Sequence, residues 1–447
     1  MMISKNSPRA SSDVTTRPAA AHRVGVLSTP ALSLDLDAVT HNIDTMAAWC
    51  ADAGVDLAPH GKTTMMPEIW RRQLDAGAWG ITVATAFQAE VAKDAGVTNI
   101  IMAGSAFAPD VLRSLLDGPA DVLMWIDSLA GVQLLNDALA AAAGQASPLE
   151  MGEARPLVGV GKARPLAVLV EFGSVLGRTG ARSVHETVRI AEAVHNADHL
   201  VLAGVAGYEG ALTHGVDDEA LSVIDDYLLA LRDVLDTIPV QHFAPWLDSG
   251  HDVILTAGGS VYFDRVASVL SSRHDPLGER GPRTRVVLRS GSYVAHDHGL
   301  YTRLTPFARV NHSTAAAHPP FFFEPALELW ATVISRPQAD LALLNIGRRD
   351  ASDDEGFPIP LDVWRAGGSD KHSSDVLDGA AVTALNDQHA FLRVAVESSI
   401  GVGDLVRLGI SHPCTTFDKW AEIAVVRGFT TERADPPLIE NFLPTHF

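Results

Sequence analysis

Cysteine is nearly absent: 447 residues contain only Cys50 and Cys414. So few, so far apart, exclude a disulfide scaffold and fit a reducing, cytoplasmic setting. Basic residues are the second shortage, with 34 Lys and Arg against 54 Asp and Glu and a net charge of −20. A surface of that sign repels nucleic acid and anionic membrane and leaves small molecules as the expected partners. No uninterrupted apolar run reaches membrane-spanning length, and residues 1–25 lack the apolar stretch of a secretory signal. Rich in Ser, Ala and Arg, those residues read as a short disordered tail, with a transit peptide as the competing reading. The chain is 47% hydrophobic and 20% charged, an ordinary globular composition. Its length suits two domains, or one large barrel with an appendage.

From Val55 to Ser290 short apolar runs alternate with longer amphipathic stretches. Eight runs read as strands: VDLAPH at 55, ITVAT at 81, NIIMAG at 99, VLMWID at 122, AVLVEFG at 167, LVLAGVAGY at 200, VILTAGG at 253 and RVVLRSG at 285. Between them lie helical patterns such as MMPEIWRRQLDAG and AFQAEVAKDAG, each closing on a glycine able to take a left-handed cap. Eight strand–helix units predict a closed (β/α)8 TIM-like barrel, against an open doubly wound sheet as the alternative.

Such a barrel keeps its chemistry where the strands end, and the polar residues fall there. The first run delivers His60 and Lys62, the fifth leads to Arg178 in FGSVLGRTG, and the sixth ends on Tyr208 and Glu209. The seventh runs into TAGGS, where Gly258 and Gly259 let backbone amides approach an anion and Ser260 adds a hydroxyl. A glycine pair alone equally describes a plain turn. An isolated lysine is usually a solvated one, but Lys62 shares its rim with an arginine and an anion cup. Partly withdrawn from water beside positive charge, it would have a depressed pKa and attack carbonyls as a Schiff-base nucleophile. Lysine, anion cup and aromatic hydroxyl together describe a site for pyridoxal 5'-phosphate.

Beyond Leu300 the pattern changes to short β-type runs, ALELWATVISRP, ADLALLNIG, AFLRVAV and GDLVRLGIS, without comparable helices. The expected organisation is therefore a tail at 1–25, a barrel at 26–300 and a mainly β domain at 301–447. The alternating ALSLDL ahead of the barrel is a strand able to join that last domain. Residues 143–165 and 311–320 read as insertions, and GVGKA within the first of them lacks the third glycine of a dinucleotide fingerprint. Near the end, ISHPCTTFDKW places His412 and Cys414 two positions apart. In an extended stretch these side chains share a face, so imidazole and thiol can hold one cation. For an isolated pair the alternative is a core histidine and a buried thiol.

Taken together, APHGKTTMMPEIWRRQLDAGAWGITVAT, the GRTG turn, GYEGAL, TAGGS, SGSYVAHDHGLY and GDLVRLGISHPCTTFDKW span nearly the whole chain. They resemble the fold type III pyridoxal-phosphate enzymes, specifically the D-serine dehydratase and D-threonine aldolase family, including bacterial proteins described as amino acid deaminases. The resemblance implies an alanine racemase-type N-terminal barrel and a C-terminal β domain. It also implies that Lys62 carries the cofactor and returns as a base at Cα, that Arg178 and Tyr208 lie beside the cofactor, and that Gly258, Gly259 and Ser260 hold its phosphate. His412 and Cys414 match the family's metal pair, where thiolate favours zinc. The implied substrate is a β-hydroxy D-amino acid and the implied assembly a homodimer.

Two lyase reactions fit. Dehydration of a D-serine-like substrate yields a keto acid and ammonia, while retro-aldol cleavage requires a base at the hydroxyl, for which His60 is the candidate. A metal-free racemase using Tyr293, and a non-catalytic pyridoxal phosphate carrier lacking the β domain, are the other readings. The chain departs from the family in KTTM, in DQHA at 387–390, and in the arginines of NIGRRDASDDEGFPIP, which puts substrate identity in question. His296 and His298 in AHDHG read as loop residues or as groups behind the ligands.

Overall fold

The computed structural model describes residues 23–24, 27–144, 164–175, 177–271, 284–313, 321–366, 375–428 and 435–447. The predicted tail at 1–25 lies outside these apart from residues 23–24, as do most of the 143–165 insertion with its GVGKA fragment and residues 314–320 of the other insertion. The chain divides into two compact units, one of 49–62 and 77–290, the other of 1–48, 63–76 and 291–447.

The first unit is the barrel. Its strands are β2 (Asp56–Leu57), β3 (Ile81–Val83), β4 (Asn99–Met102), β5 (Asp121–Ile126), β6 (Leu166–Phe172), β7 (Leu200–Gly207), β8 (Val253–Ala257) and β9 (Thr284–Leu288). Every pairing is parallel, in the order β2-β9-β8-β7-β6-β5-β4-β3. All eight coincide with the apolar runs of the sequence, because strands buried on both faces read as continuous Val, Ile and Leu. The sheet closes on itself just beyond β2, where His60 bridges Thr82 in parallel and the Thr82 amide donates to the Pro59 carbonyl at 2.9 Å. Closure removes the exposed edges an open sheet would present, and it excludes the doubly wound alternative. The lumen is filled by side chains two apart along the strands, among them Ile101, Leu123, Trp125, Leu169, Ala203, Ile254 and Val287. It is a packed core, so ligands can reach only its ends.

Local chemistry sets the connections. Thr85 caps the helix Ala86–Asp94 by accepting from the Gln88 amide, and Ser183 caps Val184–His195 by accepting from the Glu186 amide. The predicted glycine stops take the left-handed conformation, φ 99° at Gly77 and 81° at Gly96.

The second unit is mainly β. Strand β1 (Ala31–Asp35), the ALSLDL alternation, lies between β10 (Leu327–Gln338), which it pairs antiparallel, and β16 (Glu422–Val426), which it pairs parallel. Around them run β11 (Leu341–Leu344), β12 (Ile359–Trp364), β13 (Ala381–Leu385), β14 (Ala390–Arg393), β15 (Leu405–Gly409) and β17 (Asn441–Pro444). Trp330 and Trp364 pack with their rings tilted at 39° and centroids 5.2 Å apart in its core, where the Trp330 indole donates to Ser33. The helix Pro67–Asp75, whose pattern lies between the first two barrel strands, groups with this unit. Among the described residues no helix is long and apolar enough to cross a membrane.

Candidate active site

In the barrel unit the C-terminal strand ends assemble a polar layer above the apolar lumen. His60 and Lys62 follow β2, Lys62 within the 3-10 turn Gly61–Thr63, and both are half-buried. The Nδ1 of His60 is enclosed and has no hydrogen-bond partner among the described residues. Burial, with the nearby charges of Lys62, Arg289 and Arg178, holds this imidazole well below its ordinary pKa against a stabilising bond to the Thr82 backbone. His60 is neutral.

Arg178, after β6, lies over the Tyr208 ring with its guanidinium carbon 4.7 Å from the centroid. Tyr208 follows β7. Its amide donates to the Tyr227 hydroxyl at 2.9 Å, which in turn donates to the Phe172 carbonyl at 2.7 Å, tying the ends of β6 and β7 together.

The turn after β8 behaves differently from the sequence expectation. The amides of Gly258 and Gly259 donate to the carboxylate of Glu209, at 3.0 and 2.7 Å. The two amides of the predicted cup therefore meet an anionic group of the protein itself, the Glu209 carboxylate. Gly258 has φ 109°, a conformation that strains any larger residue, and a Cβ on Gly259 would lie 3.3 Å from the Tyr208 ring, a tight contact that the ring must yield to.

Two residues of this layer escape a motif-based reading. Arg289, after β9, is buried; it donates to Thr256 Oγ1 at 2.7 Å and to the Gly207 carbonyl at 2.6 Å, and stacks over Trp125 at 4.8 Å. The alternation of RVVLR carried the signal, since Arg289 shares a strand face with the lumen residue Val287. Glu171, on β6, accepts from Thr179 at 2.8 Å, and burial raises its carboxyl to about 7.

In the β unit the HPC stretch is not extended. Strand β15 stops at Gly409, Pro413 adopts helical angles (φ −66°, ψ −38°), and Cys414–Phe417 is a short helix. Proline, with its fixed φ and no amide hydrogen, suits a helix start. His412 and Cys414 meet all the same, as hydrogen-bond partners across this turn. Burial pushes the thiol up, but His412, Ser292 and Thr63 outweigh it, and the net shift is downward. Ser292 Oγ lies 3.1 Å and Thr63 Oγ1 3.3 Å from the sulfur. His412 is raised to about 9, because Cys414 and Asp354 overcome the opposing effect of burial. The pair thus sets a soft sulfur and an imidazole beside each other, each favouring the charged form of the other. Among the described residues no cluster of three or more His, Cys, Asp or Glu side chains gathers to hold an ion.

The remaining predicted residues fall elsewhere. Tyr293 is buried, and its hydroxyl accepts from Gln73 at 2.9 Å. His296 and His298 are core groups of the β unit, pushed by burial to about 3 and about 4, and the His298 ring packs on Gly409. Two departures from the family pattern meet each other: Arg349 pairs with Asp387 at 3.4 Å, both well exposed, where such a pair contributes little.

Comparison with known proteins agrees with this architecture. Residues 34–246 match the alanine racemase N-terminal domain, and residues 326–426 the "Putative serine dehydratase domain". The chain is 25% identical to a D-threonine aldolase of Arthrobacter sp over 422 residues, 91% of each chain. It is 28% identical to D-threo-3-hydroxyaspartate dehydratase of Delftia sp. (strain HT23) over 404 residues, 87% of this chain and 92% of that one. The solved D-threonine aldolase from Filomicrobium marinum matches with a TM-score of 0.69 at 26% identity, covering 96% of this chain and 97% of that one. The chain is a fold type III pyridoxal-phosphate enzyme. It belongs to the D-serine dehydratase and D-threonine aldolase family, whose matched members are lyases.

The residues fit the family's cofactor. A lysine stands at the end of the first barrel strand, a cation lies over an aromatic ring, and a pair of amides is already shown to hold an anionic group.

Proposed function

We propose that the protein is a pyridoxal-phosphate- and metal-dependent dehydratase of β-hydroxy D-amino acids, converting a D-serine-like substrate to a keto acid and ammonia. In this reading Lys62 carries the cofactor, Arg178 and Tyr208 flank it, the turn of Gly258, Gly259 and Ser260 holds its phosphate, and His412 with Cys414 holds a divalent ion. A thiolate ligand favours zinc. A cysteine-to-alanine variant of a D-threo-3-hydroxyaspartate dehydratase has been solved in a metal-free form, which supports a thiolate-held ion here. When bound, the cofactor supplies an electron sink for a carbanion at Cα and the ion supplies a Lewis acid for the β-oxygen. The chain's own residues supply the proton transfers. Lys62 takes the Cα proton; hydroxide leaves Cβ, and the resulting enamine tautomerises and hydrolyses to keto acid and ammonia.

The observation that carries dehydration over retro-aldol cleavage is the state of His60. Retro-aldol cleavage needs a base to remove the hydroxyl proton. The His60 imidazole has an enclosed Nδ1, is bonded to the Thr82 backbone, and sits among Lys62, Arg178 and Arg289. Accepting a proton would add to the positive charge of Arg178 and Arg289 at a site where burial already opposes it. Elimination asks nothing of it.

The test is a product assay on D-serine, D-threonine and 3-hydroxy-D-aspartate, with and without zinc after chelation. Ammonia and pyruvate from D-serine, dependent on the metal, are expected. Glycine with acetaldehyde or glyoxylate, and no ammonia, would establish the aldolase instead; bound cofactor without turnover of any substrate would establish a carrier. We also infer a homodimer in a reducing compartment. Phe87, Phe107, Leu129 and Val175, which follow β3, β4, β5 and β6 in the chain, are exposed apolar side chains that a second copy could cover, and two cysteines are too few for a disulfide framework.

A further inference from the structure

The loop between β11 and β12 brings a carboxylate to the metal pair. Asp354 Oδ2 lies 2.8 Å from His412 Nδ1, and Thr415 Oγ1 bridges the two, 3.2 Å from Nδ1 and 3.2 and 3.3 Å from the Asp354 oxygens. The loop is fixed on both sides of this contact: Ser352 Oγ donates to the His412 carbonyl at 3.0 Å, and Ser411 Oγ donates to the Gly356 carbonyl. The aspartate and the histidine are therefore held against each other by backbone anchors as well as by their own bond.

We propose that Asp354 is a positioning residue for the metal centre, fixing His412 in the tautomer that carries its proton on Nδ1 and so presenting Nε2 to the ion. This rests on the reading of His412 and Cys414 as the metal pair. An imidazole has two nitrogens and an ion takes one, so whatever binds the other decides which is offered and at what angle. A carboxylate on the far nitrogen also makes the near one a stronger donor. With only one imidazole and one thiolate identified as ligands, loss of that orientation bears directly on retention of the ion.

The test measures metal binding by the metal-stripped full-length protein, with zinc affinity from chelator competition and the absorption spectrum after cobalt substitution. Asp354→Ala is expected to weaken zinc binding by about 10–100-fold, the range typical for loss of such a partner. Asp354→Asn, whose carbonyl oxygen still accepts from Nδ1, is expected to recover part of that loss. Both variants should keep the thiolate-to-cobalt charge-transfer band and the ligand-field pattern of the parent. Unchanged zinc affinity in Asp354→Ala would overturn the proposal, and an altered ligand-field pattern would also do so, by making the carboxylate a ligand itself. The underlying reading fails separately, and takes this proposal with it, if the parent protein takes up no metal or if Cys414→Ala retains the charge-transfer band.

Discussion

Replacing Glu209 separates two accounts of the turn after β8. In one the carboxylate braces the turn so that Ser260 is correctly presented; in the other it merely occupies amides that a phosphate would otherwise take. Glu209 is fully buried and receives two amide hydrogens. Hydrogen bonds to a charged group contribute about 1.5–3 kcal/mol each, so Glu209→Ala removes up to about 6 kcal/mol. Relief from burying the carboxylate's charge offsets part of this, leaving a net loss of about 3 kcal/mol. For a unit of this size that corresponds to a fall in Tm of about 6–12 °C. Glu209→Gln keeps one acceptor but turns an NH2 toward the second amide, so its loss should be intermediate. Thermal melts read the first effect. Titration of the cofactor-free protein with pyridoxal phosphate reads the second: a brace predicts weaker binding in Glu209→Ala even though two amides have been released, and a mere occupant predicts tighter binding. A variant that melts with the parent and binds the cofactor more tightly would refute the bracing argument.

Lys62→Ala should lose the yellow colour of the protein and all ammonia release while melting close to the parent; retained colour after dialysis would show that another amine carries the cofactor. Burial raises Glu171 from 4.5 to about 7, so the folded state holds a proton that the unfolded chain gives up in this interval. The stability tied to that proton is complete below pH 4.5 and is lost as pH rises through about 7, whereas Glu171→Gln is neutral throughout. The urea midpoint of Glu171→Gln should therefore gain on the parent between these two values, and parallel curves would show that the carboxyl is not held protonated.

The barrel strands were legible because their chemistry is uniform: a strand buried on both faces is an apolar run, and the run ends where the polar rim begins. The same logic fails for the turn at His412. The two-residue spacing suggested an extended strand, yet Pro413 has no amide hydrogen to donate to a ladder and its fixed φ suits a helix start, so β15 stops at Gly409 and a helical turn follows. The two side chains still meet, so the juxtaposition suggested by the spacing holds on a different backbone.

What sequence motifs missed is the charge arrangement above the lumen. Gly258 and Gly259 look like an anion cup from their conformational freedom alone, but which anion fills it depends on Glu209, 49 residues away from the first of them along the chain. Arg289 is harder still to see, since an arginine on a strand is ordinarily a surface residue and only the register of β9 turns it inward beside Thr256. The placement of Arg289 bears on the chemistry, because it adds to what keeps His60 unprotonated. Arg289, Lys62 and Arg178 all oppose a proton on that imidazole, and burial opposes it most. The barrel-mouth histidine nearest the lysine in sequence is therefore a weak base for a substrate hydroxyl proton. Cleavage chemistry would have to recruit a different base, whereas elimination needs only the amine already placed at the rim and a Lewis acid for the departing oxygen.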